Sequence, residues 1–288
     1  MKLSAQKRIR RQTPKQTTFQ PTRIRGQHFL SNKRVIEDVL DAAQVTKKDI
    51  VVEIGPGHGA LTVPLTQRAQ LVEAVEIDPQ AIQGLHAHVA FSERVSDSMI
   101  TNITITHADV MDLLRREPSW VPKQYLLVSN LPFKISSDVL RIFLTDPRIA
   151  RPERMVLILQ YELAKRITAT PGEMSTLSVM VQATSRPEFL KKISRGSFTP
   201  PPGVDAALVR LTPKLHKGLT PKTLESFLGF VHAGFAARRR MLANTLVAAG
   251  YDRAQLHAAL TRVGIPATIR PQDLSIDQWV SLFTILHA

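Results

Sequence analysis

Ile50-Val51-Val52-Glu53-Ile54-Gly55-Pro56-Gly57-His58-Gly59 is the stretch on which the fold turns. Its first five residues, mostly β-branched and apolar, read as a buried strand. Three glycines at alternate positions follow at once, where a chain without Cβ atoms can turn sharply and approach a ligand closely. Glu76 ends the next apolar run, 21 residues after Gly55. An acid at the tip of the second strand of a doubly wound sheet can accept hydrogen bonds from ribose hydroxyls, and ligands in such sheets sit at the carboxyl ends of the strands. The G-x-G-x-G spacing differs from the G-x-G-x-x-G of dinucleotide enzymes, and no G-x-x-x-x-G-K-[ST] occurs. A glycine turn with no ligand accounts for the loop alone but not for Glu76 at this spacing. His58 reads as a solvent-facing loop residue, not a metal ligand.

Outward from that loop, short apolar runs alternate with helical patterns. Leu71–Ile77, Ile103–Thr106, Tyr125–Ser129 and Met155–Leu159 read as further strands, with helices over Pro79–Val89 and Ser136–Leu144. Such alternation implies an α/β parallel sheet covered on both faces. Val35, Ile36, Val39 and Leu40 form one face of an earlier helix with Ser31 as its N-cap. Phe189–Ile193 and Val204–Leu211 flank Pro200-Pro201-Pro202-Gly203 and read as an antiparallel hairpin. After the composition break at Pro213–Pro221, Leu224–Ala249, Arg253–Val263 and Ile276–His287 read as helices. Residues 1–25 are thus expected to be a flexible basic arm, 26–212 an α/β domain, and 213–288 a small helical domain.

Charge narrows the partners. The 288 residues carry 38 Lys and Arg against 24 Asp and Glu, a net +14. Eight of those cations and no acid fall in residues 1–25, which points to a polyanionic partner. With no cysteine, disulfide scaffolds, thiolate nucleophiles and Cys-bound zinc are excluded. No apolar run approaches a membrane span, and the polar N-terminus has no apolar signal core. A cytoplasmic protein is expected, with no membrane partner and nothing demanding more than a monomer.

The chemistry is carried by Asn130-Leu131-Pro132-Phe133, at the tip of the fourth strand. An adenine N6 is a poor nucleophile because its lone pair is delocalised into the ring. The Asn130 side-chain carbonyl and the Leu131 backbone carbonyl can both accept its hydrogens, which localises the lone pair and aims it at a methyl donor. Pro132 has no N–H to donate and stiffens the turn. Phe133 offers a face on which a flipped base can stack. Asp109, after the third strand, either accepts from the exocyclic amine of a cofactor adenine or caps the next helix.

With these residues in place, the sequence resembles the KsgA/Erm family of ribosomal RNA adenine N6-dimethyltransferases. Gly26–Leu30 matches the family's G-Q-x-F-L, Glu53–Gly59 its cofactor loop, Asn130–Phe133 its N-[LI]-P-[YF], and Phe198–Asp205 its F-x-P-x-P-x-V-[DS]. The resemblance spans about residues 23–288 in family order. It implies a class I S-adenosylmethionine methyltransferase: a Rossmann-like, mostly parallel seven-stranded sheet with a small C-terminal helical domain. It further implies S-adenosyl-L-methionine contacts at Gln27, His28, Leu30, Gly55, Gly57, Glu76, Asp109 and Asn130. Phe133 stands where tyrosine is usual, so stacking survives and a phenolic hydrogen bond is lost.

The RNA is expected to be gripped by Lys7, Arg8, Arg10 and Arg11 and by Arg238, Arg239 and Arg240, the latter also readable as the polar face of a helix packed by Phe235, Met241 and Leu242. Two branches divide the family: one modifies 16S rRNA during small-subunit maturation, the other 23S rRNA, with macrolide-type resistance. Val128–Asn130, Ser136–Asp138, Gln160–Glu162 and Leu274–Trp279 resemble the Erm branch, whereas Leu131 and Pro200–Pro202 suit the maturation branch. The sequence features favour Erm, with the 16S enzyme as the alternative. A non-catalytic nucleic-acid-binding factor on this scaffold would need neither the glycine loop nor Glu76 nor Asn130.

Overall fold

The computed structural model describes residues 28–287 apart from 97 and 238. A short strand β1 (Phe29–Leu30) precedes α1 (Lys33–Ala43), and then strands and helices alternate: β2 (Ile50–Ile54), α2 (Thr62–Arg68), β3 (Leu71–Glu76), α3 (Pro79–Ser96), β4 (Ile103–His107), α4 (Val110–Arg116), β5 (Leu126–Asn130), α5 (Ser136–Thr145) and β6 (Arg154–Gln160). Two helices, α6 (Tyr161–Ile167) and α7 (Thr176–Thr184), lead to β7 (Ser185–Ile193), β8 (Phe198–Thr199) and β9 (Ala206–Pro213). Four helices close the chain: α8 (Pro221–Gly234), α9 (Leu242–Ala248), α10 (Arg253–Val263) and α11 (Ile276–Leu286).

Seven strands form one sheet in the order β4-β3-β2-β5-β6-β9-β7. The first five are parallel, and β9 runs antiparallel to both β6 and β7. The order reverses beside β2, so β2, β3 and β5 deliver their carboxyl ends to one crevice. Both faces are covered. Val52, Leu127 and Leu157 enter one core, while their neighbours Val51, Val128 and Ile158 enter the other. Strands buried on both sides are continuously apolar for this reason.

Several expectations needed correction. Asn32, not Ser31, caps α1: its side chain accepts from Arg34 N at 3.0 Å. Ser31 instead donates its hydroxyl to the Ser197 carbonyl at 3.1 Å, anchoring β1 beside β8. Helix α3 runs to Ser96, well past Val89. The expected helix Leu224–Ala249 is two, broken after Gly234 and resumed at Leu242. The hairpin is present, with β7 starting at Ser185 and carrying a register shift between Phe189 and Lys191. Among the described residues no helix is long and apolar enough to cross a membrane.

Candidate active site

The strand tips meet around a cavity of about 650 Å³, within the size range of cofactor pockets. Gly55, Gly57 and Gly59 all have positive φ, at 69°, 56° and 86°. All three also admit close neighbours, Gly59 the Leu85 side chain. A Cβ on Gly55 would lie 3.1 Å from the Pro132 ring, and one on Gly57 would lie 2.8 Å from the Phe29 ring. The glycine loop therefore packs directly against the Asn130–Phe133 turn on one side and β1 on the other.

Glu76 closes the loop. Its carboxylate accepts from Gly57 N at 3.1 Å, Ile77 N at 2.8 Å and Asp78 N at 2.9 Å. Being buried yet lining the cavity, it is held where a ribose could share its oxygens. Glu53, 2% exposed, also lines the cavity. Burial pushes the Glu53 carboxyl up to about 8; the nearby Thr62 hydroxyl opposes the rise and the Glu76 charge adds to it. Glu53 Oε2 and Thr62 Oγ1 are nonetheless both buried without a hydrogen-bond partner of good geometry among the described residues. An orphaned carboxyl oxygen facing a cavity suits a ligand that brings a donor or a positive charge.

On the other strand tip, Ser129 ties β5 to β2 through a 2.5 Å hydrogen bond to the Ile54 carbonyl. Asn130 follows, and its amide nitrogen donates to the His28 carbonyl at 3.2 Å. That bond commits the amide end of the side chain and leaves its carbonyl oxygen for another donor. The Pro132 carbonyl takes both the Ile135 N–H and the Ser136 hydroxyl at 3.1 Å, leaving the Leu131 carbonyl outside the turn's own bonds. Phe133 is half-buried, its ring centroid 6.3 Å from that of His28. His28 is in turn fixed by a 2.9 Å bond between Nδ1 and the Pro200 carbonyl.

Most residues expected from sequence therefore come together: His28, Leu30, Gly55, Gly57, Glu76, Asn130, Leu131, Pro132 and Phe133 all line the cavity. Asp109 does not line it; its carboxylate caps α4 by accepting from Met111 N at 2.7 Å. His58 is no solvent-facing residue, since its ring stacks on Phe29 at 4.0 Å and burial holds its pKa below the usual histidine value, Asp78 opposing and His88 reinforcing that shift. Arg239 and Arg240 are exposed in the turn between α8 and α9, not on a helix face. Gln27, Arg238 and the arm residues Lys7, Arg8, Arg10 and Arg11 lie outside the described residues. Sequence reasoning missed Phe29, Phe198 and Lys134 as lining residues. The first two follow only from the β1–β8 pairing, which two-residue strands do not announce.

The family described as ribosomal RNA adenine dimethylase matches residues 20–288. Ribosomal RNA small subunit methyltransferase A of Dehalococcoides mccartyi is 35% identical over 261 residues, covering 89% of this chain and 85% of that protein. The protein of that name from Clostridium botulinum is 30% identical over 264 residues, covering 91% and 92%. Among solved structures, the 23S rRNA methyltransferase ErmE superposes with a TM-score of 0.73 at 28% identity, over 90% of this chain and all of that one (100%). A dimethyladenosine transferase from Plasmodium falciparum gives 0.74 at 23% identity over 88% and 96%, a likeness of fold.

Proposed function

Because the chain belongs to the ribosomal RNA adenine dimethylase family, we propose that it dimethylates the exocyclic amine of adenine in small-subunit ribosomal RNA. S-adenosylmethionine, the methyl donor of this enzyme class, supplies an electrophilic methyl on a sulfonium. The chain's own residues bind and orient. Gly55 and Gly57 cradle the donor, Glu76 accepts from its ribose, and His28, Leu30 and Asn130 complete the wall. Asn130 and Leu131 draw the target amine out of conjugation through their carbonyls, while Phe133 stacks the base. The proton released after transfer passes to water, since the methylated nitrogen is acidic. Lys7, Arg8, Arg10, Arg11, Arg239 and Arg240 supply phosphate contacts, whose strength falls with salt.

The observation that carries this reading is Asn130, fixed by His28 with its carbonyl free beside a cavity lined by two acids, Glu53 and Glu76. The choice of the small subunit rests on the curated relatives, which outweigh the Erm-like segments that favoured 23S rRNA. ErmE, at 28% identity, keeps the large-subunit reading as the second one. Purified protein with labelled methyl donor, offered unmethylated small subunits and naked large-subunit rRNA separately, tests the choice. Label on a small-subunit adenine is expected. Label on large-subunit rRNA alone would make this a resistance-type enzyme, and antibiotic protection would follow.

A further inference from the structure

We propose that Lys134 grips the phosphate of the target nucleotide at the mouth of the cavity; this rests on the RNA methylation reading above. Among the described residues that line the cavity, Lys134 is the only lysine or arginine. The lining keeps its acidic side chains apart from its cation: Glu53 and Glu76 are buried, whereas Lys134 is exposed next to Phe133. Leu131 is buried, Asn130 and Phe133 are half-buried and Lys134 is exposed, so the lysine stands on the solvent side of the residues assigned to the base.

Two features leave the ammonium available. The turn beneath it is closed twice, because the Ile135 N–H and the Ser136 hydroxyl both bond the Pro132 carbonyl at 3.1 Å, which fixes where the lysine stem begins. No carboxylate among the described residues pairs with it; Asp138, the nearest acid along the chain, is engaged by Arg141 at 3.2 Å. A nucleotide whose base stacks on Phe133 carries its phosphate one sugar away from the ring, within reach of the neighbouring side chain. Lysine meets such a group as a mobile point charge, with no demand for a fixed fork. The carboxylate of the methyl donor offers the same anionic chemistry, and the test separates the two.

Lys134→Gln and Lys134→Arg would be compared with the wild-type protein on unmethylated small subunits, with donor affinity measured separately by calorimetry. Lys134→Gln should raise KM for the particle about fivefold and lower the magnitude of the salt slope of RNA binding by about 0.7–0.9, the share of one phosphate. Lys134→Arg should restore most of both, and donor Kd should stay within about twofold throughout. A merely structural role would move the melting temperature and leave the salt slope alone. Unchanged KM and slope in Lys134→Gln, or a loss confined to donor affinity, overturns the assignment. If wild-type protein labels neither RNA, the methylation reading fails and this inference falls with it; if it labels RNA and Lys134→Gln matches it, only the inference fails.

Discussion

Asn130 is held by one hydrogen bond and, in the proposed reaction, works through another. Its amide nitrogen is committed to His28, so removing the side chain takes away an acceptor already oriented in the free protein. Asn130→Ala should leave the fold intact and cut methyl transfer by ~10²–10³-fold, the scale seen when one preorganised polar group is removed. Single-turnover assays beside circular dichroism check this, and substantial surviving turnover would refute the role. Glu53 titrates rather than orients. In the unfolded chain its carboxyl ionises near its ordinary 4.5, whereas the folded protein holds the proton up to about 8. The folded state therefore binds a proton that the unfolded state has lost, and the contribution of Glu53 to stability declines as pH rises through that window, levelling off above it. Glu53→Gln keeps the shape without the charge. Its melting temperature should depend less on pH and exceed that of the parent by several degrees at about pH 9. Parallel pH curves for the two proteins would show that Glu53 is not buried as described.

The glycine loop, β1 and the Asn130–Phe133 turn act as one element. Gly57 has φ of 56° and its missing Cβ would lie 2.8 Å from the Phe29 ring. Gly57→Ala must therefore strain the backbone and push β1 away from the cavity, and donor affinity should fall more than about tenfold, at ~1.4 kcal/mol per decade. Calorimetric titration checks it, and near-normal affinity would mean that β1 yields freely. Much of this element was legible in the sequence, because alternate glycines and a strand-end acid have few other uses. What could not be read was tertiary. Asp109 carries a side chain suited to either role, and local geometry made it the cap of α4. Leu224–Ala249 keeps helical periodicity throughout, yet it breaks after Gly234, where Trp279 packs so closely that a Cβ would come within 2.5 Å of its ring. Leu242 N then bonds the Ile269 carbonyl at 2.8 Å instead of continuing the helix. Only α11 and the 269 segment, remote in sequence, supply those contacts. The overlong α3 has a related cause: Phe91 and Val95 lie on its last turns at 62% and 71% exposed, so no core contact marks where it ends.

Across the whole molecule, the proposed division at residues 212 and 213 separates roles more than it separates cores. The C-terminal helices share their core with the catalytic half: Val179 and Ala183 of α7 pack with Phe227, Phe230 and Trp279. Backbone bonds cross the same seam, from Gly172 N and Met174 N to the Gln272 carbonyl and from His216 N to the Ala183 carbonyl. If the C-terminal half grips RNA as proposed, docking this extensive sets the distance between those phosphates and the base in the cavity, which a loose tether could not. Trp279 is the centre of that core. It is fully buried, stacked on Phe235 at 5.4 Å and edge-on to Phe230 at 5.7 Å. Trp279→Ala should cost about 3–5 kcal/mol, the usual range for an aromatic core truncation. Because α7 lies between the two halves, that loss should lower the melting of the entire chain as one transition. Differential scanning calorimetry distinguishes the alternatives: a new, separate low-temperature transition with the catalytic half melting as before would show two independent folding units, and the fixed spacing between RNA grip and cavity would then lose its structural basis.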